Sequence, residues 1–246
     1  MNSEASLVNK TSLNQEQRYK ILIILPCLNE EIALQKLLSE LEDVNFPADI
    51  LVVNDGSDDK TLDVLKGKNK PFLNFCCNLG VGGAMQAGFK YGVENSYDYC
   101  IQLDGDGQHP PSELKKFFNN NEPPPDLLIG SGYKDGAFIR SSVVRFAGTK
   151  AIAMTLNTLF PGHNITDPTS GFRCMNKTAI EFFANFYPHD YPEPVSIALA
   201  IKRGLTVSEI PVKLRRRVAG KSSISPFDGI VYMVRVITQI FIARLI

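Results

Sequence analysis

Lys20-Ile21-Leu22-Ile23-Ile24-Leu25, running into Pro26-Cys27-Leu28-Asn29-Glu30-Glu31, decides the architecture. An unbroken apolar run rich in isoleucine reads as a strand buried on both faces. From 30 to 41 the apolar set Ile32, Leu34, Leu37, Leu38 and Leu41 has helical spacing. Working outward, strands are expected at 49–53, 72–76 and 97–103. A short helix is expected near 62–65, and one rich in Ala and Gly over 81–93. Strands alternating with helices predict an α/β fold, a parallel sheet with helices on both faces. Right-handed crossovers then bring the strand C-terminal ends to one edge, where open α/β sheets bind ligands.

The Pro-rich stretch Glu122-Pro123-Pro124-Pro125-Asp126 closes the alternating half. A short strand at 126–129, a helix at 143–159, a polar loop, a further strand–helix region, a strand within 205–214 and a final helix follow. No flexible linker interrupts the chain. The expected organisation is a polar tail over 1–18 and a single domain over 19–224. That domain has a nucleotide half at about 19–121 and an acceptor half at about 126–224. An amphipathic helix completes it at 225–246.

The 246 residues carry 26 basic and 26 acidic side chains, so net charge argues for no nucleic-acid partner. Five cysteines, an odd number with no Cys-x-x-Cys pair, read as buried reduced thiols of a cytoplasmic protein. No signal peptide is visible, and no stretch reaches the ~18 apolar residues of a spanning helix.

The strongest chemical signal is Leu103-Asp104-Gly105-Asp106-Gly107-Gln108-His109-Pro110, between an expected strand and a helix start at Pro111. Strand periodicity aims Asp104 and Asp106 to the same side. Two carboxylates that close repel unless a cation lies between them. Oxygen ligands suit Mg²⁺ or Mn²⁺, which also bind substrate phosphates. A solvated Asp-Gly turn is the plain alternative. Asn54-Asp55-Gly56-Ser57-Asp58-Asp59 follows the second strand. Asp55, at its tip, can accept hydrogen bonds from a ribose or base, whereas Ser57 or Asp58 can simply cap the next helix. Asn78-Leu79-Gly80-Val81-Gly82-Gly83-Ala84 has Met85 where a dinucleotide loop needs a small residue, so its glycines read as helix–sheet packing positions. Lys213, Arg215, Arg216, Arg217 and Lys221 form a basic cluster, either a phosphate site or a solvated edge strand. Asp167 is either a catalytic base or the residue that fixes the Asp-Pro-Thr-Ser turn.

Together these segments resemble the family-2 glycosyltransferases of GT-A fold, on the branch of dolichol-phosphate mannose synthase and bacterial polyprenyl-phosphate relatives. The matching pieces are Pro26-Cys27-Leu28-Asn29-Glu30-Glu31, Asn54-Asp55-Gly56-Ser57, Asn78-x-Gly80, Asp104-x-Asp106-x-Gln108-His109-Pro110, Asp167-Pro168-Thr169-Ser170-Gly171-Phe172-Arg173 and Arg217-x-x-Gly220-x-Ser222. The resemblance implies a GT-A-like, Rossmann-type, mostly parallel sheet. It implies that Pro26, Leu28, Glu30 and Asp55 line the nucleotide site and that Asp104, Asp106 and Gln108 hold the metal. It also implies that Arg140, Arg145, Arg217 and Ser222 meet donor or acceptor phosphates. Three positions depart from the pattern: Gly132 in place of Arg, Ser223 in place of Lys, and Val195 in place of a second acid after Pro192-Glu193-Pro194.

The expected reaction is in-line displacement at the anomeric carbon, with inversion, from a UDP- or GDP-sugar. The acceptor is a polyprenyl phosphate, already ionised near neutrality, or a glycan hydroxyl, which needs a base such as Asp167. A non-catalytic sugar-nucleotide-binding subunit is the alternative of another class, and the intact acid pair weighs against it. In the last helix Asp228, Tyr232, Arg235 and Gln239 share one narrow stripe among apolar residues. Such a helix packs on the core, on a second copy in a homodimer, on a small membrane partner, or in the membrane interface without spanning it.

Overall fold

The computed structural model describes residues 19–68, 70–119, 122–134, 143–215 and 226–245. In chain order the elements are β1 (Ile21–Cys27), α1 (Glu31–Val44), β2 (Asp49–Asn54), α2 (Thr61–Lys66), β3 (Phe72–Asn74), α3 (Gly80–Glu94) and β4 (Tyr99–Gln102). A 3-10 helix (Pro111–Phe118), β5 (Leu127–Ser131), α4 (Val143–Leu159), β6 (Arg173–Asn176), α5 (Lys177–Phe186), α6 (Pro192–Arg203), β7 (Val207–Pro211) and α7 (Pro226–Leu245) follow. The expected strands and helices are all present, within a few residues of their predicted ends.

The strands form one sheet in the order β3-β2-β1-β4-β6-β5-β7. All run parallel except β6, which lies antiparallel to both β4 and β5. The periodicity of residues 173–176 carries no information on direction, so the reversal was not readable from them. β1 lies inside the sheet between β2 and β4 and is buried at every position. Its side chains alternate: Leu22 and Ile24 join the layer with α3, α5 and α6. Ile21, Ile23 and Leu25 join the layer with α1 and the 3-10 helix. This two-sided burial is why the run is uniformly apolar.

The Gly motif packs differently from expectation. A Cβ at Gly82 would strike the backbone of Pro188 and His189, ahead of α6, rather than the sheet. The close helix–sheet approach falls to two glycines outside the motif. A Cβ at Gly88 would lie 2.6 Å from Ile24 Cγ2, and one at Gly92 would lie 2.7 Å from Cys100 Sγ. The cysteines also divide. Cys27, Cys100 and Cys174 are buried, but Cys76 and Cys77 are exposed.

Helix α7 packs against α4 and α6. Its inward residues Val236, Ile240 and Ala243 belong to the core. The expected polar stripe does not simply face water: the Tyr232 ring meets Tyr191 edge-on at 4.9 Å. The outer face is mixed: Val231, Val234, Phe241, Ile242 and Leu245 are exposed alongside Arg235, Thr238 and Arg244. Among the described residues no helix is long and apolar enough to cross a membrane.

Candidate active site

The C-terminal ends of β1, β2 and β4 open onto a cavity of about 290 Å³. Pro26, Cys27, Leu28 and Glu30 come from the β1 end, Asp55 from β2, and Asn78, Gly80, Val81 and Ala84 from the start of α3. Asp104, Gly105 and Asp106 come from beyond β4, and Glu193 from α6. Six predicted site residues therefore share one cavity: Pro26, Leu28, Glu30, Asp55, Asp104 and Asp106. Gln108 is not among the lining residues. Arg140, Arg217 and Ser222 lie outside the described residues, and so does the side chain of Arg145.

Asp55 is 3% exposed. Its Oδ1 accepts the Leu79 N–H at 2.7 Å, which ties the end of β2 to the start of α3. Burial raises its pKa, and the Leu79 and Gly80 amides oppose that shift. The neighbouring polar residues build the turn. Ser57 Oγ donates to Asn54 Oδ1 at 2.5 Å and accepts the Asn29 N–H at 2.9 Å. Neither Ser57 nor Asp58 caps α2: Lys60 holds the N-cap position without a side-chain bond, and Asp59 Oδ1 accepts the Thr61 N–H at 2.8 Å. A neutral asparagine or alanine at 55 loses a charged acceptor. Asp55→Ala is therefore expected to weaken UDP or GDP binding by roughly 1–3 kcal/mol. Calorimetry reads it, and unchanged affinity for both nucleotides would leave Asp55 as a turn residue only.

Asp104 owes its position to β6. The β4–β6 register pairs Gln102 with Arg173. Continued two residues outward, it sets Asp104 opposite Gly171. A Cβ at 171 would come within 2.7 Å of Asp104 Oδ1, and closer to Oδ2. Only glycine lets the backbone approach that carboxylate. Gln102 Nε2 donates to Asp104 Oδ1 at 3.2 Å. Burial raises the Asp104 pKa, and the Asp106 charge adds to it against His109, Gln102 and Arg173. Asp106 is buried and accepts the Gln108 N–H at 2.9 Å. His109 stacks on Phe172 with centroids 5.1 Å apart.

This arrangement suits a divalent cation held partly by substrate. Two carboxylates face one cavity and raise each other's electrostatic cost. Among the described residues no group of three or more His, Cys, Asp or Glu side chains forms a closed cage. Mg²⁺ and its like commonly take one or two carboxylates, with phosphates and water completing the shell.

Two buried or cavity-lining side chains received no role from the sequence, and a third received a different one. Glu193 lines the cavity from the first turn of α6. Burial raises its pKa, Arg173 lowers it and Asp104 raises it again. Arg173 is 1% exposed. It donates to Ser170 O (2.6 Å), Glu193 O (2.7 Å), Ser196 Oγ (2.9 Å) and Pro168 O (3.0 Å). A basic residue in a strand flanked by Phe172 and Cys174 was the one available signal. Arg215, grouped above with a phosphate-binding cluster, grips protein instead. Its guanidinium forks onto Glu40 at 2.9 and 2.6 Å, and its Nε donates to the Gly107 carbonyl. It straps the acid loop to α1.

Asp167 is 3% exposed and is not among the cavity-lining residues. Its Oδ2 accepts the Gly132 N–H at 3.0 Å, and Oδ1 accepts the Thr169 hydroxyl at 3.3 Å. Burial pushes its pKa up to about 6 against the Gly132 hydrogen bond, with nearby Glu209 adding. The folded chain then holds a proton at 167 more tightly than the unfolded chain does. Stability is thus expected to fall as pH rises from about 4 to about 6. Asp167→Asn keeps an acceptor for Gly132 and removes the charge, so it should flatten that slope in urea unfolding. Full turnover in this variant would assign Asp167 to the turn; its loss with the fold intact would support a base.

Residues 22–183 match the family described as Glycosyl transferase family 2. The polyprenol monophosphomannose synthase of Mycolicibacterium smegmatis is 28% identical over 215 residues, covering 84% of this chain and 81% of the relative. The undecaprenyl-phosphate mannosyltransferase of Micrococcus luteus is 30% identical over 219 residues, covering 84% and 88%. In fold, glucosyl-3-phosphoglycerate synthase from Mycobacterium tuberculosis, crystallised with Mn²⁺, UDP-glucose and phosphoglyceric acid, superposes with a TM-score of 0.72. It has 16% identity, with 96% of this chain and 83% of that one covered. A cavity edged by Asp55 and the Asp104/Asp106 pair, on a sheet of this topology, fits the family that the sequence matches, and the chain belongs to glycosyl transferase family 2 as a glycosyltransferase.

Proposed function

We propose that the chain moves a sugar from a UDP- or GDP-sugar to a polyprenyl phosphate, with inversion and with Mg²⁺ or Mn²⁺ bound. The observation that carries this reading is the single cavity holding Asp55 at one strand end and Asp104 with Asp106 at another. Asp55 is suited to the ribose or base. Asp104 and Asp106 would hold the cation, which when bound neutralises charge on the diphosphate leaving group. The names of the relatives from Mycolicibacterium smegmatis and Micrococcus luteus support a polyprenyl acceptor. A phosphate monoester, with a second pKa of about 6, attacks as an anion and needs no protein base. A screen of UDP-, GDP- and dTDP-sugars for donor cleavage with Mg²⁺ or Mn²⁺ tests the donor. Extraction of labelled product into organic solvent tests the acceptor. A second reading, transfer to a glycan hydroxyl, draws on Glu193, a half-buried residue on the cavity wall whose carboxyl pKa is raised by desolvation. Water-soluble product would favour it.

The acceptor places a demand on the surface, because a lipid phosphate is met at a membrane. The outer face of α7 presents Val231, Val234, Phe241, Ile242 and Leu245, and Met154 of α4 is exposed too. We propose that this face rests in the interface without spanning it. Deleting the helix would expose Val236, Ile240 and Ala243 and confuse unfolding with release. Val234→Glu with Ile242→Glu leaves the core intact. That double variant is expected to lose co-flotation with anionic vesicles at an unchanged unfolding temperature. Equal flotation of both proteins would remove α7 from the membrane contact.

A further inference from the structure

The two exposed thiols stand where the donor site is built. The chain bends at Cys76 and Cys77, one residue beyond β3 and directly before Asn78, a cavity residue. Both are exposed and free, whereas the other three cysteines are buried. Their side chains interact: a hydrogen bond and the charge of Cys76, followed by the charge of Asp55, raise the Cys77 pKa. The pair therefore lies beside the carboxylate at the edge of the nucleotide cavity.

The backbone there has little freedom. A Cβ at Gly56, whose φ is +73°, would lie 2.7 Å from Cys77 C and 2.9 Å from Asn78 N, so the Asp55–Gly56 turn rests directly on the Cys77–Asn78 peptide. Two residues further on, the Leu79 N–H makes the 2.7 Å bond to Asp55 Oδ1. Adjacent Cα atoms are about 3.8 Å apart, less than the roughly 4.4 Å at which ordinary disulfides begin. Joining Cys76 to Cys77 must therefore reshape the peptide that supports Gly56 and delivers Leu79 to Asp55.

We propose that Cys76 and Cys77 form an oxidisable thiol pair, closed to a disulfide by peroxide, whose closure loosens nucleotide binding at Asp55. The Cys76 thiolate attacks hydrogen peroxide, since Cys77 holds its proton more tightly; the O–O bond breaks, and the departing hydroxide takes a proton to leave as water. The second thiol displaces the sulfenic oxygen as a second water, and the S–S bond forms. Two thiols are oxidised, one peroxide is reduced, and two waters result. Exposed, constrained disulfides are the readily reduced ones, so a dithiol reductant reverses the step.

The inference rests on the cavity being the donor site, and the test separates the two. The full chain is treated with hydrogen peroxide, mapped by peptide mass, and titrated with UDP and GDP by calorimetry before treatment, after it, and after dithiothreitol. Cys76→Ser runs in parallel, controlling for oxidation at Cys27. The expected result is a Cys76–Cys77 disulfide and a roughly tenfold loss of nucleotide affinity, the scale of one hydrogen bond to a charged group. Reductant restores the affinity, and Cys76→Ser does not lose it. If the untreated chain binds nucleotide but no such disulfide forms, or one forms and affinity holds, the inference is overturned alone. If the untreated chain binds neither nucleotide, the donor reading falls and takes the inference with it.

Discussion

Asp104→Asn is expected to lower turnover by on the order of 10²–10³ or more, the scale of losing one preorganised electrostatic group. Asn keeps the shape and an oxygen, so it still accepts from the Gln102 amide. It loses the charge that would hold the cation against the diphosphate. The fold should not suffer. Burial and the Asp106 charge both raise the Asp104 pKa, which means that the ionised side chain costs the folded state free energy. Neutralising it is stabilising or neutral. The measurement is the initial rate of nucleotide release across a Mn²⁺ titration, paired with thermal unfolding. Turnover near that of the native chain, or full native activity in excess chelator, would refute the metal assignment.

Arg173→Met is expected to destabilise the protein by about 3–5 kcal/mol, as breaking one side of a buried charged network does. Methionine is similar in length and fills the space, but it donates nothing. The Pro168 and Ser170 carbonyls would lose this partner in the interior, while Glu193 O would keep the Ser196 hydroxyl. The raised carboxyls of Asp104 and Glu193 would lose the positive charge that opposes their shift. Arg173→Lys keeps the charge without the planar fork that reaches four acceptors, so an intermediate loss is expected. The midpoint of urea unfolding reads both variants. An unchanged midpoint in Arg173→Met would show that the guanidinium is not a structural tie.

The cavity edge of the sheet was legible because strand periodicity and turn chemistry are local. A buried run at 21–25 must be a strand, and an aspartate at a strand tip must face the ligand edge. That logic placed Asp55, Asp104 and Asp106 without any long-range information. What it could not supply were contacts between distant segments. Arg215 sits 175 positions from Glu40 and 108 from Gly107, and in the sequence it is one basic residue in a run of them. Ser57 does not cap α2 because it is already engaged by Asn54 and Asn29, and Asp59 takes the Thr61 N–H instead, which only the folded turn reveals. Glu193 was visible in Pro192-Glu193-Pro194 but gained meaning only when α6 was seen to point its first turn at the acid pair. The strand direction of β6 was equally hidden, and with it the meeting of Gly171 and Asp104.

That reversed strand bears on how the chain can be divided. β4 has β1 on one side and β6 on the other, and β6 is supplied from more than 70 positions further along. A fragment ending near 121 would contain every donor-side carboxylate except Glu193. It would nevertheless leave a buried, apolar β4 as an open edge with unpaired backbone amides and carbonyls. Such an edge recruits other chains. Residues up to about 121 are therefore not expected to fold on their own, and association of isolated fragments is the expected fate. On the ribosome the cavity must wait, incomplete, until β6 has emerged and closed the outer side of β4.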